Sequence, residues 1–225
     1  MRVLVAAILV CCLVWTSEAS AADEVRFGQT MGTLYLSASP TEYQPNQTGV
    51  SLFTPFTVYL VPDIDYADIG HPELNAGTGM QAYEVGVEFP AELTLISAII
   101  RNSSTSPGGG TTNLIVELSP TILAAQTPID LVEFSLGAFS DTIDLTDMCL
   151  ELHASAPSSF DPAAPGFNDS SDALECHTAD GSPIQCLRAF EYVRPMGINC
   201  RRQCCWTIDP VEESSWSTLK ADFER

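Results

Sequence analysis

Cysteines, carboxylates, histidines and tyrosines are the groups in this 225-residue chain that could do chemistry. Cys11 and Cys12 lie in an apolar leader; the other six cysteines, Cys149, Cys176, Cys186, Cys200, Cys204 and Cys205, all fall after residue 148. Two chemistries suit them. Structural zinc uses close thiolate spacings, and Cys200-x₃-Cys204 with Cys205 and His177 nominally qualifies. Disulfides are the reading that an exported chain with an even cysteine count favours. Six cysteines allow 15 pairings. Asp180-Gly181 is a tight-turn signal between Cys176 and Cys186, so that pair is the best single assignment. Cys149 sits on the outer face of its predicted strand, from where it can reach only a tail lying on the surface. Vicinal Cys204 and Cys205 are expected to bond to different partners.

Hard oxygen ligands at close spacing suit calcium. Asp63, Asp65 and Asp68 in one loop are the calcium candidates, with Asn168, Asp169 and Asp172 as a second run. Neither run matches the D-x-[DN]-x-[DN]-G pattern, so solvated acidic loops are the plainer reading and no cofactor is required. Nucleophilic catalysis has few participants. The histidines are His71, His153 and His177, and no G-x-S-x-G elbow occurs. Tyr35, Tyr43, Tyr59 and Tyr66, on the early strands and loops, could serve a sugar site or pack the core. Asn46, Asn102 and Asn168 begin N-x-[ST] sequons, which matter only in a eukaryotic source.

The leader fixes the compartment. Arg2, the apolar run Val3 to Val14, small residues through Ala22, and the charges Asp23 and Glu24 follow the order of a signal peptide. Cleavage after Ala21 or Ala22 fits equally. The apolar run is shorter than the roughly 20 residues a membrane span needs. The protein is therefore expected to be secreted, extracellular or in the cell envelope, with no membrane span once the signal is removed. A net charge of −20 argues against nucleic acid and anionic membranes as partners.

The elements that must position these groups read as strands. Thr33 to Ser37, Phe56 to Val61, Gln81 to Phe89, Leu93 to Ile100, Leu114 to Leu118, Ile129 to Leu136, Leu145 to His153 and Leu187 to Val193 carry apolar alternation or β-branched residues. In Gln81 to Phe89, the residues Tyr83, Val85, Val87 and Phe89 are assigned to the core. Glu84, Gly86 and Glu88 are assigned to solvent. Pro62 to Gly79 reads as a long polar loop. Asp209, Pro210 and Glu212 signal a short terminal helix carrying Trp216, Leu219 and Phe223 on one face. The fold class is mainly β: an antiparallel immunoglobulin-like sandwich. The expected organisation is a signal peptide at 1–22, a sandwich domain at 23–157 and a Cys-rich segment at 158–225 packed on it.

The segment Ala82-Tyr83-Glu84-Val85-Gly86-Val87-Glu88-Phe89-Pro90-Ala91-Glu92-Leu93-Thr94-Leu95-Ile96-Ser97-Ala98 resembles the central pattern of cohesin-like and related carbohydrate-binding-type sandwiches. In that pattern an alternating strand, a short acidic turn and a second apolar strand follow one another. Ile129 to Phe139 resembles their following core strand. The resemblance covers about residues 30 to 155 and implies a fold, which does not carry a function with it. The C-terminus resembles the tail of a group of secreted bacterial proteins without a known role, ending in a Trp-Gly-x-x-Lys-x-x-x-Arg-like run. Trp216, Ser217, Lys220 and Arg225 stand there, with Ser217 departing from the glycine. These readings predict a secreted, non-enzymatic binding or surface-structural protein that recognises an extracellular protein or a polysaccharide. An extracellular hydrolase on a sandwich scaffold is the alternative.

Overall fold

A computed structural model describes residues 30–103, 110–159, 163–170, 186–201 and 205. The leader, Asp172, Cys176, His177, Cys204 and the predicted terminal helix lie outside them. Among the described residues twelve strands form: β1 (Thr33–Ser37), β2 (Asn46–Gln47), β3 (Phe56–Asp63), β4 (Gly79–Glu88), β5 (Thr94–Ile100), β6 (Asn113–Leu123), β7 (Val132–Gly137), β8 (Met148–His153), β9 (Gly166–Asp169), β10 (Cys186–Ala189), β11 (Tyr192–Arg194) and β12 (Met196–Ile198). They make a five-stranded sheet in the order β11-β1-β3-β7-β5 and a seven-stranded sheet along β10-β9-β4-β8-β12-β2, with β6 also paired to β4. The inner faces meet in one apolar core. Leu34, Leu36, Val58, Leu60, Phe134 and Leu136 come from the first sheet, and Tyr83, Val85, Leu114, Val116, Leu150, Met196 and Ile198 from the second.

The expectation of a mainly β sandwich holds, with two corrections. The sheets are mixed, not purely antiparallel, because β1 pairs with β11 in parallel and β12 pairs with β2 in parallel. The physical source is one crossing. The chain leaves the five-stranded sheet after β11, passes Pro195 and enters the seven-stranded sheet as β12, running alongside the earlier β1-to-β2 crossing in the same direction. Tyr43 ties the two crossings together by donating its hydroxyl to the Pro195 carbonyl at 3.1 Å. The second correction concerns the segment after 157. It is not laid over a finished sandwich: β9 to β12 are hydrogen-bonded members of both sheets. Their short runs of three or four residues are too brief for alternation to declare itself, and Leu187 to Val193 divides between β10 in one sheet and β11 in the other.

Local patterning shows the same effect. Glu88 is exposed as expected, but Glu84 and Gly86 on the outer face of β4 are buried. The return segment after β8 covers them. Ser158 donates its hydroxyl to Glu84 at 2.9 Å and the Ser159 amide donates to the same oxygen at 2.8 Å. A Cβ at Gly86 would stand 1.9 Å from His153 Cε1, so only glycine admits the His153 ring there. The segment Pro62 to Gly79 is likewise more than a polar loop. It holds 3₁₀ turns at Tyr66–Ile69 and Pro72–Leu74, and it buries Tyr66 completely.

Tyr66 meets an ion pair built into the core. Asp169 on β9 and Arg188 on β10 are both buried, and the guanidinium binds one carboxylate oxygen while the Tyr66 hydroxyl donates to the other. The second calcium run is corrected by this geometry: Asn168 and Asp169 are strand residues, and the Asp169 carboxylate already serves Arg188 and Tyr66. Cys149 on β8 is bonded to Cys205 with a Cα–Cα distance of 5.5 Å, and Cys200 is also disulfide-bonded. Zinc on Cys200 and Cys205 is thereby excluded, because disulfide sulfur offers no thiolate. The Cys176–Cys186 assignment rests on a residue outside the described set.

Two outcomes are expected for stability. Replacing Arg188 with Met should cost about 3–5 kcal/mol in urea unfolding, because Asp169 is left charged in the core; a loss under about 1 kcal/mol would show that the carboxylate finds other compensation. Replacing Cys149 with Ser opens a loop of 56 residues and should cost up to roughly 4 kcal/mol by loop entropy, read as a lower unfolding midpoint under non-reducing conditions.

Candidate functional site

The outer face of the five-stranded sheet collects unburied apolar side chains at one edge and a polar cavity at the other. Register explains both. On β5 the residues opposite the outward-facing Glu133 and Ser135 are Ile99 and Ser97, and Thr94 stands opposite Gly137. A bulge falls between Leu95 and Ser97, and Ile96 is the extra residue there. Ile96 is 47 % exposed and Ile99 45 %. A Cβ at Gly137 would lie 2.6 Å from the Phe139 ring and 3.4 Å from Ile96 Cδ1. The missing side chain thus lets Phe139 fold across the sheet beside Ile96. Phe139 remains 46 % exposed. Phe53 joins from the loop before β3, its amide donating to the Ala138 carbonyl at 2.8 Å. Its φ is +62°, a strained setting for a bulky residue, and its ring is 59 % exposed. Such strain is more often kept where a surface has a task than in passive loops.

β5 closes the sheet on this side without a charged residue in Thr94–Ile100. Edge strands usually carry charge, proline or cover to prevent pairing; among the described residues the bulge between Leu95 and Ser97 is the protection present. The surrounding charge is negative. Glu92 and Asp141 are exposed nearby in sequence, and Arg101 is neutralised by Asp130 at 3.2 Å and Glu133 at 2.6 Å.

At the opposite edge, β1, β3 and β11 bring Tyr35, Asp63 and Arg194 to one face. Thr33 stands opposite both Asp63 and Tyr192, and Tyr35 opposite both Val61 and Arg194. The β1–β2 loop adds Glu42 and Tyr43, and the groups line a cavity of about 330 Å³. The Arg194 guanidinium lies 5.3 Å from the Tyr43 ring centre and 5.8 Å from that of Tyr192, within cation–π range. Tyr35 meets Tyr43 edge to face at 5.3 Å. Burial, with the charges of Asp63 and Glu42, pushes the Tyr35 hydroxyl up to about 12. Partial burial also raises Asp63, with Asp65 and Asp68 adding to it and Arg194 opposing.

The sequence-predicted groups divide accordingly. Tyr35 and Tyr43 come together at this cavity; Tyr59 lies further along the same face; Tyr66 belongs to the core. Asp63 and Asp65 have separate tasks. Asp63 lines the cavity, whereas Asp65 caps the 3₁₀ turn, accepting from the Ala67 amide at 2.9 Å and from Asn75 Nδ2 at 2.6 Å. Those two bonds hold its carboxyl below the usual range. Among the described residues no three such side chains, Asp68 included, converge as a metal set. His71 contacts Glu73 at 3.0 Å and His153 packs on Gly86, so neither histidine lines the cavity. Asn168 is buried, and Asn46 exchanges hydrogen bonds with the Cys200 backbone, which leaves neither free as a sequon. Arg194 escapes a reading of the sequence because the strand carrying it is three residues long. The available signal was the scarcity of basic residues, 9 against 29 acidic ones.

No protein-family model matches the chain, and no curated protein matches it in sequence. Among solved structures it is similar to a cohesin module from a Clostridium perfringens family 33 glycoside hydrolase, at 15% identity and a TM-score of 0.39 over 76% of this chain and 99% of that one. It is also similar to the sixth cohesin of Acetivibrio cellulolyticus scaffoldin B, solved in complex with a dockerin, at 14% identity and a TM-score of 0.40 over 76% and 100%.

The raised Asp63 carboxyl has a stability consequence. The folded chain holds this proton more tightly than the unfolded chain, so ionised Asp63 costs stability once pH exceeds its folded value, and the cost vanishes below the unfolded value. Asp63→Asn should therefore melt higher than the parent at pH 7, with the gap closing as pH falls below about 4. Calorimetry across that window checks it; a variant less stable at pH 7 would mean that the Arg194 attraction outweighs burial.

Proposed function

We propose that the chain is a secreted, non-enzymatic recognition module that docks an extracellular protein on the apolar edge of its five-stranded sheet. The observation that carries this reading is the group Ile96, Ile99, Phe139 and Phe53, each 45 % exposed or more. Large exposed apolar side chains gathered at one sheet edge mark interaction surfaces more often than bare solvent contact. Charge selects the occupant. The chain carries −20, so a second copy is repelled, and a partner with apolar side chains inside a basic rim is favoured. The main-chain groups of β5 add the option of strand pairing with that partner.

Display of secreted-protein libraries against the oxidised mature chain tests this. Selected binders should lose roughly 30-fold in affinity on Ile99→Lys or Phe139→Lys, the size of a hot-spot loss, with the fold verified by unchanged melting. Binders indifferent to both substitutions, or concentration-dependent dimers in light scattering, would overturn the assignment. Secretion is tested separately: N-terminal sequencing of chain recovered outside cells should begin at Ala22 or Asp23.

A hydrolase has one observation in its favour, the raised Asp63 carboxyl beside Glu42 in the cavity. Paired carboxylates are the apparatus of glycoside cleavage. Turnover of aryl glycosides by the parent, abolished in Asp63→Asn, would establish that reading in place of the non-enzymatic one.

A further inference from the structure

We infer that the cavity at the β11 edge is a second, separate binding site, and that it takes a single uncharged sugar residue through adjacent hydroxyls. Four observations meet there. The cavity is about 330 Å³, at the small end of the roughly 300–1,000 Å³ typical of small-ligand sites, which suits one ring and not a chain lying across the sheet. The Arg194 guanidinium is fixed over two tyrosine rings, yet among the described residues its N–H groups have no hydrogen-bond or ion-pair partner. The Asp63 carboxylate and the Tyr35 hydroxyl also face the cavity with no such partner among the described residues. Glu42 stands on the same wall, steadied by Gln44 Nε2 at 3.1 Å. Donors and acceptors therefore meet around one small volume, with Tyr35, Asp63 and Arg194 carried on paired strands and Glu42 on the β1–β2 loop.

Charge decides between ligand classes. Arg194 alone would invite an anion, but Asp63 and Glu42 give the lining a surplus of one negative charge, and the whole chain repels anions. A hydroxyl both donates and accepts. Neighbouring hydroxyls of a sugar can accept from Arg194 while donating to Asp63, and neither ionic group need lose its charge. The tyrosine faces are not a stacking platform, since Arg194 lies over Tyr43 and Tyr192 and Tyr35 meets Tyr43 edge to face. Their task is to hold the guanidinium still. Recognition is then by hydrogen bonds at a sugar end, the mode expected for the terminus of a glycan. This site stands at the opposite edge from the apolar docking surface and does not depend on it.

The test uses the full mature chain, oxidised. Neutral monosaccharides (glucose, galactose, mannose, N-acetylglucosamine), glucuronate, glycine and glucosamine are screened by saturation-transfer NMR and titration calorimetry. At least one neutral sugar should bind with a dissociation constant of roughly millimolar. Arg194→Gln and Asp63→Asn should each weaken it at least about tenfold, the loss of a hydrogen bond to a charged group. Ile99→Lys should leave sugar binding unchanged, which separates failure of this site from failure of the docking edge. If no neutral sugar binds, if glucuronate, glycine or glucosamine binds in place of the neutral sugars, or if Arg194→Gln binds as the parent does, the site is overturned.

Discussion

A carboxylate and a guanidinium inside the sandwich are tolerable only in each other's company. Asp169 points into the core from β9 and Arg188 from the neighbouring β10. Either charge alone would be desolvated without compensation, whereas in the pair the carboxylate is held by Arg188 on one oxygen and by Tyr66 on the other. The consequence is positional. A slip of β9 by one residue would turn Asp169 out and leave Arg188 stranded. The ion pair thus sets the register of the strands on that edge of β4, and it pins the Pro62 to Gly79 segment through Tyr66. Burial and the carboxylate together push the Tyr66 hydroxyl far above its ordinary value, so it stays a donor at every physiological pH.

That fixed edge lets the last strands of the chain serve both sheets. Once β10 is placed, two residues separate it from β11, and Pro195 alone separates β11 from β12. The Cys149–Cys205 bridge then anchors Cys205 to β8. Arg194 is delivered to the outer face because β11 runs parallel to β1 with Arg194 opposite Tyr35. The cavity is therefore a product of the same threading that closes the core.

The two ends of the outer face differ in kind. At the β5 edge, exposure of Ile96, Ile99, Phe139 and Phe53 is costly in water and is sustained by a bulge, a glycine and a strained φ. At the β11 edge, ionic groups are held on the sheet with room between them. Four strand spacings, about 19 Å at the usual separation, keep the edges apart, so each can act without the other.

How much was legible in the residues depends on reach along the chain. Strands β1, β3, β4, β7 and β8 declare themselves because five or more alternating residues suffice to mark a buried face. The outward position of Cys149 and its bond to the tail come from the same two-residue period. Strands β9 to β12 are three or four residues long, and their strand character comes from partners distant in sequence. The acids show the limit most clearly. Asp63, Asp65 and Asp169 look alike as letters, yet one lines a cavity, one caps a turn, and one is sealed in the core with an arginine. Sequence by itself determined the sandwich, the acidity and the disulfide habit, because these depend on local period and composition. Tertiary structure decided the mixed sheets, the buried ion pair and the place of Arg194, because each requires residues far apart in the chain to share one low-dielectric space or one face.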